Sequence, residues 1–358
     1  MYDVIIIGAG PAGSITAKNL AEKGLKTLII EKCKLPRYKS CSGVLIKKSK
    51  ELIEKNVGQI PDTVTCTPVN TRGIIIKNEF EKEFKFEDDG INVWRDRFDY
   101  WLTKQACDRG AELLESTSVT DFIEQKDSVS LRIKSGEKYD TITGRIIVAC
   151  DGVNGISRKK LNTIEPKRIV TYQAFYYGSG NFDPHYFYAF LNNELSEYDA
   201  WVNTKDNRLA IGVGVKKAGN APVYFNRFIN YLYNEYHLNL KEKLIEEFWT
   251  IPLIIPDFQT VLNKGRVFFT GEAAGFINPL GEGISIALVS GIALSKAIAK
   301  DYIDSPVLNE HQILENYQNE MKYEIEHMKR QWVLLHQLSP SFWEKLETSS
   351  LVQSVVSI

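Results

Sequence analysis

The residues of this chain whose types and spacing could do chemistry fall into three runs. They are Gly8-x-Gly10-x-x-Gly13 with an acid at Glu31, the pair Asp151-Gly152, and the glycine-dense stretch from Gly271 to Gly283. Glycine at a tight turn lets a phosphate come close to backbone, and a helix that starts there offers free N–H groups and the positive end of its dipole. The first run therefore predicts a pyrophosphate seat, with Pro11 and Ala12 at the helix start, Lys32 nearby and Glu31 accepting hydrogen bonds from ribose hydroxyls. The second run puts a carboxylate at the C-terminal end of a buried strand, where open α/β sheets bind ligands, with Arg158 seven residues on. Its plainer reading is an Asx turn. The third run, Gly271-Glu272-Ala273-Ala274-Gly275 followed by Asn278 to Gly283, has small residues that let backbone lie against a flat ligand. It leads at Ile284 into a helix with Ile286, Ser290, Ala293, Leu294 and Ala297 in helical periodicity.

The elements that must hold these runs can be read from periodicity. Val4–Ile7 and Lys26–Ile30 are short apolar runs suited to buried parallel strands, with a helix from Ser14 to Lys23 between them, closed by Gly24. A long polar connection covers Lys32 to Gly43, a feature that in compact domains often carries function. Residues 44–56 read as helix, 72–87 as strands, Asp96–Arg109 as helix, and Arg145–Cys150 as another buried strand. From about 165 to 256 the chain turns β-rich and aromatic, with a strand at Leu209–Val215 and a helix over Phe225–Glu247. Arg266–Thr270 returns to buried strand, and 309–358 is mostly helical with a break near Pro340.

Composition sets the outer bounds. The net charge of −1, with 44% hydrophobic and 25% charged residues, is that of an ordinary globular protein and gives no electrostatic footprint for nucleic acid. Five cysteines, Cys33, Cys41, Cys66, Cys107 and Cys150, lack CxxC spacing, so they suggest a reducing compartment and no metal framework. No apolar run approaches the roughly 20 residues needed to span a bilayer. The expected location is cytoplasmic, with peripheral contact at a membrane surface left open. Trp332, Leu334, Leu335, Leu338, Phe342, Trp343 and Leu346, beside Lys329 and Arg330, could form an interfacial helix pair, but such a pattern more often packs on its own domain.

In these runs the chain resembles the para-hydroxybenzoate-hydroxylase-type flavoproteins, and within them the geranylgeranyl reductase family, including its CbrA-like members. Gly8, Gly10, Gly13 and Glu31 fit the family's ADP-binding signature, Asp151-Gly152 its Asp-Gly motif, and Gly271 to Gly283, including Gly281, its flavin-ribityl motif. The segment Pro36 to Gly43, with Cys41-Ser42-Gly43, is similar to its cysteine-glycine segment beside the flavin. Arg95-x-x-Phe98-Asp99-x-x-Leu102 resembles its helix start with an arginine near FAD. The family usually has Gly-Asp where this chain has Gly271-Glu272. Of the Tyr-x-Trp-x-Phe-Pro signature of archaeal prenyl reductases, the stretch Ala200–Lys205 keeps only Trp201.

The resemblance implies an α/β fold: a Rossmann-like FAD-binding domain interleaved with a β-sheet substrate domain, plus a C-terminal helical segment. The boundaries it suggests are 1–164 and 257–308 for the FAD-binding domain, 165–256 for the substrate sheet with a contribution from 66–91, and 309–358 for the C-terminal helices. FAD is the implied cofactor, with no metal. The implied activity is reduction of carbon–carbon double bonds in an apolar, isoprenoid-type substrate, with hydride leaving N5 of the reduced flavin. No second GxGxxG-plus-acid unit exists for a nicotinamide, so the donor is NAD(P)H bound transiently or another protein. Cys41 is the candidate catalytic residue, as a thiol near the reacting centre or a partner for Cys33, and Trp201, Tyr176 and Tyr188 are candidate substrate contacts. Alternatives on the same fold are an aromatic monooxygenase and a flavin halogenase. Phe248-Trp249-Thr250-Ile251-Pro252 echoes the halogenase Trp-x-Trp-x-Ile-Pro signature without its first tryptophan. A non-catalytic FAD- or lipid-binding protein is a further alternative.

Overall fold

The computed structural model describes residues 1–161, 163, 168–252, 260–304 and 308–340. Along the first half run β1 (Tyr2–Ile7), α1 (Pro11–Glu22), β2 (Thr27–Ile30), β3 (Val44–Leu45), α2 (Lys47–Asn56), β4 (Thr65–Asn78) and β5 (Glu83–Val93). Next come α3 (Arg95–Asp108), β6 (Glu112–Leu114), β7 (Thr117–Glu124), β8 (Val129–Ser135), β9 (Lys138–Ala149) and α4 (Ile156–Lys160). The second half holds β10 (Arg168–Ser179), β11 (Tyr186–Leu191), β12 (Ala200–Lys205), β13 (Arg208–Val215), α5 (Ala221–Tyr236) and β14 (Asn239–Pro252). It closes with β15 (Asn263–Lys264), β16 (Val267–Phe269), α6 (Ile284–Asp304) and α7 (Glu310–Leu338).

Two sheets organise these elements. The first has the order β15-β16-β9-β1-β2-β6, with β7 and β8 attached through β9. Its central strands pair in parallel, β2 and β9 flanking β1, and their residues Val4–Ile6, Leu28, Ile29 and Ile146–Ala149 are fully buried or nearly so. Both faces of this sheet are covered, which is why the strands read as continuous apolar runs. Helix α1 lies against it between α3 and α6. Gly291 allows the close crossing with α6, since a Cβ there would sit 2.6 Å from the Ile15 side chain.

The second sheet runs β14-β10-β13-β12-β11-β4-β5-β3, so β4 and β5 from the first half of the chain belong to it. Side chains alternate between its faces. Tyr172, Ala174, Tyr186, Tyr188, Val202, Ile211 and Val213 pack with α5 residues Phe225, Phe228 and Leu232 into a separate apolar layer. Their odd-numbered neighbours on β10 and β12, such as Gln173 and Trp201, turn toward the first sheet.

Two expectations need correction. The helix over Phe225–Glu247 ends at Tyr236, where His237 takes a left-handed conformation (φ 48°), and Asn239–Pro252 is instead edge strand β14, paired antiparallel to β10. Lys241, Glu242, Lys243, Glu246 and Glu247 favour helix locally, but the open edge of β10 offers a full ladder of backbone partners, and pairing prevails over propensity. Within 44–56, Val44–Leu45 forms a short strand on β5 and only Lys47–Asn56 is helical.

Helix α7 packs on its own domain: Tyr317, Met321, Met328, Trp332, Leu335 and Leu338 are buried in the main core. Phe342, Trp343 and Leu346 lie outside the described residues. Among the described residues, no helix is long and apolar enough to cross a membrane.

Candidate functional site

The turn after β1 is built for close backbone approach. Gly8 has φ 104°, and a Cβ there would lie 2.5 Å from the Cys150 carbonyl oxygen. At Gly13 a Cβ would lie 2.0 Å from the Gly8 carbonyl oxygen, so only glycine lets α1 start directly over the strand end. Gly10 caps α1 without a side-chain partner and Pro11 occupies its first turn, which leaves the helix start facing open space lined by Gly10, Pro11 and Ala12.

Glu31 closes β2 and is buried. It accepts hydrogen bonds from the Ala9 N–H (3.0 Å) and the Cys33 N–H (3.0 Å), with the Arg37 guanidinium 3.4 Å away. It thus shapes the glycine turn as well as lining the cavity beside Lys32. Asp151 ends β9 as expected. Its Oδ2 accepts from the Ser157 N–H and hydroxyl, both at 2.9 Å, while its Oδ1 is buried with no partner among the described residues. Asp151 lines the same cavity, and burial raises the carboxyl's pKa. Arg158 donates to the Ala273 carbonyl at 3.0 Å, tying the second run to the third.

In the third run Gly271 (φ 61°) would bring a Cβ within 3.0 Å of Ala12 Cβ, and its N–H is held by Ser290 Oγ at 3.0 Å. The run closes at Gly283, and α6 begins at Ile284 beside the start of α1. Glu272 is joined to Lys39 at 3.0 Å, linking this run to the 32–43 connection.

Three adjoining cavities result. One of about 670 Å³ runs along Glu31, Lys32, Thr117–Val119 and Asp151–Ile156. A central one of about 170 Å³ lies between the start of α1, Cys41-Ser42, Arg95 and the inner face of the second sheet. The first two share Gly10, Gly152, Trp249 and Glu272. A third, of about 300 Å³, is walled by Ile74, Ile76, Phe86, Leu334, Leu335 and Leu338, and it meets the centre at Cys41-Ser42, Phe187 and Leu280–Ile284.

Around the centre, Arg95 is buried and forms a two-point ion pair with Asp99 (3.0 and 3.1 Å). Cys41 is a free thiol whose Sγ accepts from the Gly43 N–H at 3.3 Å; Cys33, also free, lines the large cavity instead. Gly43 (φ 77°) does not reach the cavity wall as a contact. It makes room for the Lys205 amine, which a Cβ would meet at 2.1 Å. Trp201 lines the centre and its indole N–H donates to Gln173 Oε1 at 2.9 Å.

Tyr176 and Tyr188 are placed elsewhere. They belong to the face of the second sheet that packs under α5, Tyr188 against Phe182 and Tyr236, and neither lines any of the three cavities. Strand parity decides this: Tyr176 shares its face with Tyr172 and Ala174, whereas Gln173 faces the opposite way.

Sequence reasoning did not single out Arg37, Lys39, Gln173, Asp199 or Lys205 for the site. Trp249 and Ile251 stood out only for the halogenase-like spelling, yet both line the centre. The alternation of β10 and β12 around Trp201 could have found Gln173 and Asp199; nothing local marks Lys39.

The cradle suits an elongated dinucleotide carrying a flat ring: glycines no side chain could replace at the pyrophosphate turn, an unpaired buried carboxylate oxygen, two helix starts converging, and a central slot between two sheets.

Comparison with known proteins agrees. Residues 1–184 match the family model described as an FAD binding domain. A digeranylgeranylglycerophospholipid reductase of Methanosarcina acetivorans is 29% identical over 331 residues, covering 87% of this chain and 79% of that protein. The crystal structure of a geranylgeranyl bacteriochlorophyll reductase-like protein from Thermoplasma acidophilum superposes with a TM-score of 0.80 at 21% identity, covering 96% of this chain and 90% of that one. A myxobacterial chondrochloren halogenase shares the fold at a TM-score of 0.78 and 16% identity, covering 99% and 88%.

Proposed function

This chain belongs to the FAD binding domain family and is an FAD-dependent oxidoreductase, and we propose that it reduces carbon–carbon double bonds in a long apolar, isoprenoid-bearing lipid. The observation that carries this reading is the junction at Cys41-Ser42 and Leu280–Ile284, where an apolar cavity opens onto the central slot. A polar nucleotide arm on one side and a hydrocarbon-lined cavity on the other suit a flavin whose ring meets the double bonds of a chain-like substrate. The names of the archaeal relatives point to the same substrate class.

Gly8, Gly10, Pro11, Ala12 and Gly13 would hold the pyrophosphate, Glu31 and Lys32 the adenosine end, and Asp151 and Gly152 the hydroxyls of the linking chain. Cys41-Ser42, Arg95, Gly271, Glu272, Gly281, Gly283 and Ile284 would enclose the ring. Bound FAD supplies hydride once reduced. The chain's own work is to orient the substrate and keep water out: Phe187, Leu280 and Ile284 close the slot, and Leu334, Leu335 and Leu338 roof the lipid cavity. Cys41 sits where ring and substrate meet, and unchanged turnover in Cys41→Ala would remove its thiol from the mechanism. The nucleotide domain comprises 1–164 and 257–308, and the substrate domain 165–256 with 66–91. Electrons come from NAD(P)H or a protein donor, and the lipid is drawn from a membrane surface beside α7.

The test is anaerobic reduction of the yellow holoprotein with NADPH, NADH or dithionite, followed by mass spectrometry of added geranylgeranyl lipid. A gain of two hydrogens per double bond is expected. A gain of oxygen in air would instead make it a hydroxylase, and a flavin reduced by every donor but leaving the lipid unaltered would refute the reading.

A further inference from the structure

Saturating a double bond takes a hydride and a proton, and the proton comes either from solvent or from an acid that the chain holds beside the slot. Six carboxylates line the three cavities, and five are engaged. Glu31 accepts from two backbone N–H groups, Glu272 pairs with Lys39, and Asp151 holds Ser157. Asp88 accepts from the Lys47 N–H, and Glu282 accepts from Asn278 and Ser285. The sixth is Asp199, on the wall of the central slot with Trp201, Trp249 and Ile251 around the same space.

No side chain among the described residues donates to the Asp199 carboxyl. Its backbone is fixed, the carbonyl accepting from Ser196 Oγ at 2.8 Å and from the Gly214 N–H at 2.9 Å. The ionisable groups that share its cavity are Lys39, Cys41, Arg95, Cys150 and Glu272. Lys39 is neutralised by Glu272 and Arg95 by Asp99, and no neighbouring charge acts on Asp199. Burial then pushes its pKa up to about 6, near the range in which an acid can both hold and release a proton at neutral pH.

We propose that Asp199 is the acid that protonates the substrate carbon next to the one receiving hydride. The inference rests on the double-bond reduction above. The π bond breaks and two C–H bonds form, one from the hydride of the reduced flavin and one from the Asp199 carboxyl proton. The flavin ends oxidised, to be reduced again by the nicotinamide or protein donor, and Asp199 ends as a carboxylate that water reprotonates.

Two measurements on the intact holoprotein test this. Carbon-13 NMR of protein labelled at the aspartate carboxyls should show one resonance titrating near pH 6, absent from Asp199→Asn. No such resonance in wild type overturns the inference. In the second, dithionite-reduced wild type, Asp199→Asn and Asp199→Glu are mixed anaerobically with geranylgeranyl lipid and flavin reoxidation is followed. Reoxidation should slow by about a hundredfold or more in Asp199→Asn and recover partly in Asp199→Glu, with flavin content and reduction by dithionite unchanged. Equal reoxidation by wild type and Asp199→Asn would overturn the inference alone, while no reoxidation by wild type would sink it together with the double-bond reading.

Discussion

The amine of Lys205 on β12 donates a 2.8 Å hydrogen bond to the carbonyl oxygen of Ser42, so a buried cation of the second sheet holds down the loop that walls the central slot. The same amine reaches the Val93 carbonyl at 2.5 Å and lies over the Trp94 ring at 4.6 Å. Burial pushes the lysine pKa down, and these acceptors compensate for part of the lost hydration. Replacing Lys205 by Met removes both bonds and takes the amine donor from the Val93 carbonyl, while the Ser42 carbonyl keeps the Asn203 amide at 3.0 Å. We expect a loss of about 1–3 kcal/mol, seen as a lower melting temperature, and an FAD dissociation constant raised about tenfold as the 41–43 segment loosens. Isothermal titration of the apoprotein with FAD checks the second effect.

Gly13→Ala tests the pyrophosphate turn. Its Cβ would lie 2.0 Å from the Gly8 carbonyl oxygen and 3.2 Å from the Ile6 side chain, so α1 must retreat from β1. The expected cost is about 1–3 kcal/mol or more, together with a purified protein lacking the flavin absorption band. Full flavin content would contradict the role given to this turn.

Leu334→Trp probes the apolar cavity. Leu334 lines it but is 43% exposed, so the larger ring can enter without breaking the core. Flavin content and reduction by dithionite should stay as in wild type while KM for geranylgeranyl lipid rises about tenfold, a loss of about 1.4 kcal/mol in binding. An unchanged KM would place the substrate elsewhere.

Asp199 also makes a prediction about stability. Its carboxyl titrates near 6 when folded and near 3.8 in the open chain, so the folded state binds the extra proton between these values. Stability contributed at this position is therefore greatest at low pH and declines as pH rises through about 6. Asparagine cannot ionise. Asp199→Asn should match wild type below the lower value and exceed it by up to about 3 kcal/mol above the upper one, as measured by urea denaturation at both ends of the range.

Most of the nucleotide-binding half was legible in the sequence. Gly8, Gly13, Glu31, Asp151 and Gly271 announce themselves because their demands are local: a positive φ, a missing Cβ or a carboxylate at a strand end can each be met only by certain residue types. The buried parallel strands were readable for a related reason, since a sheet covered on both faces needs unbroken apolar runs.

The second half was less transparent. Strand β14 carries helix-favouring charges, and only the free edge of β10 makes it a strand. Tyr176 and Tyr188 are aromatic like Trp201, but which face of a sheet looks into the central slot depends on where the other sheet and α5 stand.

By itself, then, the sequence determined a glycine turn and a second helix start that suit a flavin nucleotide, because backbone geometry there admits so few residues. Only the tertiary structure decided which side chains meet at the central slot. Lys39 reaches Glu272 across 233 positions, Lys205 reaches Ser42 across 163, and Asp199 comes to the wall of the central slot with no side-chain donor among the described residues. Such meetings are set by how two sheets pack face to face, and no local rule of spacing encodes them.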